Sequence, residues 1–151
     1  MPAEKETSPQ DLVAACRRLY SWIEKVDAKA AAAVGVSRND LRCLNMLAEA
    51  PTKPGKIAEE LGLTTGSVTT LIDRLEKANL AKRERDPADR RGVIVHPTSY
   101  LFKTVGPIYL SVANEIQRIA TTYSAHERDA AVKHINDASS AYELSVKREM
   151  K

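Results

Sequence analysis

The sequence predicts a mainly α-helical fold carrying one small β-hairpin, and three observations predict it. Apolar residues recur at helical spacing through most of the 151 residues. Residues that start and stop helices punctuate that pattern along the chain. The two stretches with strand character, near residues 81–85 and 93–96, flank a segment of proline, aspartate and glycine that reads as a hairpin loop.

Bulk composition sets limits on class. Hydrophobic residues make up 43% and charged residues 28%, ordinary for a globular chain, which excludes wholesale disorder. A net charge of +3 hints only mildly at an anionic partner, so the placement of charge matters more than its sum. Cys16 and Cys43 lie outside any C-x-x-C pair, and no run approaches the ~18 apolar residues of a membrane span. With no secretory leader pattern, these features lead to an expectation of a cytoplasmic protein without a membrane partner.

The elements follow in order. Ser8-Pro9-Gln10-Asp11 offers a capping serine, a proline at the first helical position and an acid in the first turn. Leu12, Cys16, Leu19, Ile23, Val26, Ala30 and Ala33 then recur at steps of four and three, a heptad-like seam that Gly35 ends. Such a seam suits packing against another helix, of the same chain or of a second one. Ser37-Arg38-Asn39-Asp40 is a capping box, with Val36 and Leu41 placed as a hydrophobic staple, and the helix it opens carries Leu44 and Leu47 and stops before Pro51. A short helix runs from Pro54 to Gly62. Thr64 caps the next one, expected over residues 65–77. After the hairpin, Leu101, Val105, Ile108, Val112, Ile116 and Ile119 are again helical, with Pro107 expected either to kink that helix or to mark a late start. Ser124-Ala125-His126-Glu127 is a last capping box, opening a helix with Ala131, Ile135, Ala138 and Tyr142. The predicted order is four helices, a hairpin and two helices.

Residues 54–77 have the proportions of a helix-turn-helix. On a wheel of ~100° per residue, Val68, Leu71, Ile72, Leu75 and Ala78 form the core face. Gly66, Thr70, Asp73 and Lys77 lie opposite, flanked by Ser67, Thr69 and Arg74. The first two exposed turns are therefore small, neutral and hydrogen-bonding, as a helix entering a major groove requires. A plain solvated face fits those residues equally well, and Gly66 fits either close approach or a frayed first turn. The hairpin adds information by its position. Its segment from Lys82 to Arg91 holds Lys82, Arg83, Arg85, Arg90 and Arg91 against Glu84, Asp86 and Asp89, and an arginine at a hairpin tip suits a minor groove.

The run Leu63-Thr64-Thr65-Gly66-Ser67-Val68-Thr69-Thr70-Leu71-Ile72-Asp73-Arg74-Leu75-Glu76-Lys77-Ala78-Asn79-Leu80, with Arg83-Glu84-Arg85-Asp86-Pro87-Ala88-Asp89-Arg90-Arg91 after it, resembles the multiple-antibiotic-resistance regulator (MarR) family. The resemblance covers nearly the whole chain. It implies a winged helix-turn-helix over residues 37–97 within a single domain of 1–151, with helices in 8–34 and 98–151 forming a homodimer. It further implies a transcription regulator, expected to be a repressor, bound to a pseudo-palindromic site on double-stranded DNA. By position, Thr65, Ser67, Thr69, Thr70 and Arg74 are expected to face the major groove. Arg90 is expected to probe the minor groove, with Asp89 orienting it and Arg91 nearby, and Lys53 and Lys56 to touch backbone phosphate. Asn79 stands where the family usually has glycine, His96-Pro97-Thr98 replaces a Leu-Thr pair, and Pro107 is unusual. The first two turns hold no Arg, Asn or Gln, so base readout is expected to be modest; central operator changes each costing well above ~3 kcal/mol would contradict this.

The resemblance also implies release by a small aromatic effector, for which Tyr20, Trp22, Arg38 and Arg42 are the candidates, each equally suited to packing or surface. Thiol-based redox sensing at Cys16 is the alternative, set against an inert core role within the apolar seam. His96, His126 and His134 form no i,i+4 pair, so no metal site and no cofactor are expected. A winged-helix module that binds protein is a further reading. An enzyme ranks last, since nucleophile elbow, P-loop, dinucleotide-binding and H-E-x-x-H motifs are all missing and no catalytic residue is assigned.

Overall fold

The structure, a computed structural model, describes residues 7–149, apart from the side chains of Arg90 and Glu149. Its elements are α1 (Pro9–Val34), α2 (Arg38–Glu49), α3 (Pro54–Leu61), α4 (Thr65–Lys77), β1 (Ala81–Asp86), β2 (Asp89–Pro97), α5 (Ser99–Ala120) and α6 (Ala125–Glu149). They form two compact units, Trp22–Leu110 and Met1–Ser21 with Ser111–Lys151.

Capping residues place the helices of the first unit. Ser37 accepts the amide of Asp40 while the Asp40 carboxylate accepts the amide of Ser37, closing the capping box at the start of α2. Gly62 ends α3 in the left-handed region at φ +63, and the Leu63 amide returns to the Ala58 carbonyl. That turn aims the chain into the Thr64 cap of α4, whose Oγ1 accepts the amide of Ser67. Asn79 does the same at the end of α4, with φ +57 and the Leu80 amide bonded to the Leu75 carbonyl. Asparagine tolerates this conformation because its short polar side chain lessens the penalty of a Cβ there.

The apolar stripes predicted on α2, α3 and α4 converge as one core. Leu41, Leu44, Leu47, Ile57, Val68, Leu71, Ile72 and Leu75 are buried together with Leu80, Ala81 and Val95 of the hairpin. Ala30 and Ala31 of α1, and Leu101 and Val105 of α5, complete it. Each fully buried Leu, Ile or Val side chain contributes about 1.5–3 kcal/mol, so this cluster fixes the orientation of α4. Ala78, expected in the core, is exposed: α4 ends at Lys77, and the capping position leaves the helical wheel.

The hairpin departs from expectation at its tip. β1 and β2 pair antiparallel from Ala81↔Pro97 to Arg85↔Val93, and then the register slips to Asp86↔Asp89. The strands therefore run into the expected loop and turn over Pro87-Ala88, while Arg90, Arg91 and Gly92 bulge from β2. Val95 also bridges to Thr52 through two backbone hydrogen bonds of 2.9 and 3.0 Å, tying the wing to the segment before α3. Such a one-residue bridge has no periodicity for a sequence to display. At the far end, Thr98 donates its hydroxyl to the Asn79 carbonyl and accepts the amide of Leu101, so it caps α5 and anchors it to the end of α4.

α5 starts at Ser99 and runs through Pro107, which rules out a late start. Pro107 and Lys103 are exposed, so water can donate to the Lys103 carbonyl that the missing N–H leaves open. In the second unit, Ser8 and Asp11 cap α1 reciprocally, and Ser124 and Glu127 do so for α6. The α1 seam expected to pack is left largely bare there, with Leu12 and Leu19 exposed and Cys16 half-buried, and Ile116 of α5 and Ile135 of α6 are exposed too.

Candidate nucleic-acid interface

Along α4 the outward face is Thr65, Gly66, Ser67, Thr69, Thr70, Asp73, Arg74 and Lys77, all exposed. The hydroxyls are partly engaged already. Thr69 donates to the Thr65 carbonyl at 3.0 Å, and Thr70 to the Gly66 carbonyl at 3.1 Å. The Ser67 hydroxyl shares a 2.9 Å hydrogen bond with that of Thr64. With their protons directed back to the helix, Thr69 and Thr70 present methyl groups and acceptor lone pairs outward. Those suit thymine methyls and the amino groups of cytosine or adenine rather than the acceptor edge of guanine.

Arg74 is only half available. Its Nη2 donates to Oδ1 of Asp40 at 2.6 Å, and Asp40 is buried at 4% exposure. The remaining guanidinium N–H groups stay on the surface, since the Arg74 side chain is 54% exposed. Asp40 thus both caps α2 and grips α4, a role invisible in a sequence where the partners stand 34 residues apart.

Arg83, not singled out by sequence reasoning, is the hub between wing and helix. Its guanidinium pairs with Asp73 at 2.7 Å and with Glu76, and it reaches the Thr69 carbonyl at 3.3 Å, while its amide donates to Glu76 at 2.7 Å. These bonds neutralise Asp73, the one acid on the outward face of α4, where bare negative charge would oppose a polyanion. Lys82 is likewise committed to Glu84, which His96 also approaches at 3.5 Å. Among the described side chains, Lys56, Lys77, Arg85 and Arg91 have no carboxylate partner, so the electrostatic footprint is narrower than the wing's basic count suggests.

Lys53, expected at phosphate, is bonded to Asp86 at the tip end of β1, Nζ to Oδ2 at 2.7 Å. Asp86 is buried, and its other oxygen accepts the Ala88 amide at 2.8 Å. The Lys53 hydrogen bond, with the Ala88 amide behind it, holds the Asp86 carboxyl below its ordinary 3.8. Asp89 accepts the amide of Arg91 at 3.0 Å, so it shapes the bulge through backbone. Gly92 is closely surrounded here. A Cβ on it would lie 3.0 Å from the Asp86 Cβ and 3.0 Å from Oδ2 of Asp89. Arg90 falls on β2 at this bulge, and its side chain lies outside those the structure describes.

Arg38 borders a cavity between α1 and α2, and Arg42 borders another beside α3. Trp22 is 63% exposed with the Lys25 ammonium 3.9 Å over its ring, and Tyr20 belongs to the other unit. Cys43 is buried beside Asp40, and burial followed by that carboxylate pushes its thiol up to about 12. Cys16 instead lies 3.5 Å from Nε2 of His134.

A helix-turn-helix whose second helix is outward-facing and whose following hairpin is bolted to it by ion pairs defines a winged helix-turn-helix protein. The MarR family model matches residues 34–92. YcgE of Bacillus subtilis, an uncharacterized HTH-type transcriptional regulator, is 33% identical over 120 residues, spanning 79% of this chain and 78% of its own. The chain belongs to the MarR family of transcriptional regulators. Its fold is that of RV1404 from Mycobacterium tuberculosis, with a TM-score of 0.68 at 24% identity over 93% of this chain and 98% of that one. A S. aureus MepR mutant bound to an oligodeoxyribonucleotide shares the fold with a TM-score of 0.56 at 18% identity, over 91% and 99% of the two chains.

Proposed function

We propose that the protein is a homodimeric, sequence-specific double-stranded DNA-binding regulator, acting as a repressor that a small molecule releases. α4 enters the major groove through Thr65, Ser67, Thr69, Thr70 and Arg74, and the Arg90-Arg91 bulge reaches the minor groove, with Lys56 at phosphate and Lys53 holding the wing. The observation that carries this reading is the outward face of α4: small and hydroxylic for two turns, with its single acid neutralised by Arg83. Bare apolar seams on α1 and α5, including Leu12, Leu19 and Ile116, support a dimer built from residues 8–34 and 98–151, since monomers seldom leave such surface uncovered. Two α4 helices related by a two-fold axis then read an inverted repeat.

The test is duplex binding by the wild type and by a variant with alanine at Thr69, Arg74, Arg90 and Arg91. Wild-type affinity should fall linearly with the logarithm of salt concentration, and the folded variant should lose most of it. Equal affinity in the two proteins refutes the reading.

One observation favours a second mode of control. Cys16 is half-buried with its Sγ 3.5 Å from Nε2 of His134, a polar contact that an inert core cysteine would not make, and cysteine thiols are what peroxide oxidises. In that case peroxide releases DNA from the wild type and not from Cys16→Ser; release from both proteins rejects it.

A further inference from the structure

The cavity between α1 and α2 has about 340 Å³ and belongs wholly to the Trp22–Leu110 unit. Its wall is built of small residues, Ala28, Ala31 and Ala32, with Leu41 beside them. Three charged groups stand around it: Glu24, Asp27 and Arg38. Arg38 is committed to Glu24 by an ion pair. Asp27 is half-buried and accepts the Tyr109 hydroxyl at 2.7 Å, while no lysine or arginine among the described side chains pairs with it. A neutral hydroxyl satisfies part of that carboxylate and leaves its charge uncompensated.

This balance discriminates between ligands. An ammonium beside Asp27 forms a charge-assisted hydrogen bond without breaking anything in the site. A carboxylate or phenolate has to displace Glu24 from Arg38 and then lie next to Asp27, where like charges repel. The volume is near the low end for ligand sites, roughly 300–1,000 Å³, so the fit is to one ring or a short alkyl chain.

We infer that this cavity binds a small organic cation, its ammonium on Asp27 and its apolar body against Ala28, Ala31 and Ala32. The inference deepens the proposal of small-molecule release by naming the charge of the molecule, and it concerns a site remote in sequence from the groove-reading residues. Arg38 and Leu41, which line the cavity, flank Asp40, whose carboxylate holds Arg74 of α4.

Benzylamine, benzyl alcohol and benzoate are matched probes for calorimetric titration of the full chain. Benzylamine should bind saturably, with the alcohol and the acid at least about tenfold weaker. Asp27→Asn, which keeps the acceptor for Tyr109 and removes the charge, should weaken benzylamine about tenfold, and Ala32→Leu should block it by filling the space. Benzoate binding as tightly as benzylamine, no saturable benzylamine binding, or benzylamine binding unchanged in both folded variants overturns the inference. A duplex shift assay without amine keeps the two proposals apart. Duplex binding without amine binding sinks this one alone, and amine binding without duplex binding sinks the regulator reading alone.

Discussion

Replacing Gly92 by alanine tests whether the wing's internal bonds set its DNA-binding pose. The added Cβ would meet the Asp86 Cβ and Asp89 Oδ2 at 3.0 Å and the Asp89 Cβ at 3.1 Å. Optimal separation between carbons is about 3.5–4.0 Å, so the aspartates have to give by a few tenths of an ångström. Overpacking of this kind costs about 1–3 kcal/mol. The strain falls on the residues that hold the tip: Asp86 binds Lys53 at 2.7 Å and the Ala88 amide at 2.8 Å, and Asp89 binds the Arg91 amide at 3.0 Å. None of these belongs to the core cluster, so the fold survives while the Arg90-Arg91 bulge shifts. Fluorescence anisotropy on a mixed-sequence duplex should show a loss of about tenfold, the equivalent of ~1.4 kcal/mol. Thermal unfolding should report an intact core. Wild-type affinity and wild-type salt dependence in Gly92→Ala would refute the idea that wing geometry limits binding.

Three further outcomes follow from particular bonds. Asp40→Ala removes a buried partner of Arg74 and half of the α2 capping box, and urea unfolding should show a loss of about 1–3 kcal/mol; an unchanged midpoint would mean that the Arg74 contact contributes nothing. Asn79→Val places a β-branched residue at φ +57 and should destabilise by about 1–2 kcal/mol, whereas Asn79→Gly should not destabilise at all; calorimetric melting of the pair checks the order. The Asp86 carboxyl is depressed below 3.8 by Lys53 and the Ala88 amide, so its contribution is complete above that value and lost as pH falls through the lowered one. The NMR shift of the Ala88 amide should accordingly titrate only below 3.8, and a midpoint at or above it contradicts the ion pair.

What the sequence by itself determined is local. Capping boxes at Ser37 and Ser124, the end of α3 at Gly62, and the buried stripe of Val68, Leu71, Ile72 and Leu75 all arise from residues close in the chain, so periodicity and cap chemistry suffice to place them. The outward threonine face of α4 was legible for the same reason. Tertiary structure alone decided the rest. Arg74 meets Asp40 across 34 positions, Lys53 pairs with Asp86, and Arg83 gathers Asp73 and Glu76. Nothing in composition or spacing distinguishes a lysine that will find a carboxylate from one that will face solvent, because the pairing depends on where the core sets each backbone. The slipped register at Asp86 and the Thr52 bridge to Val95 have the same origin. They follow from how the wing docks against the helices, and only the packed chain contains that information.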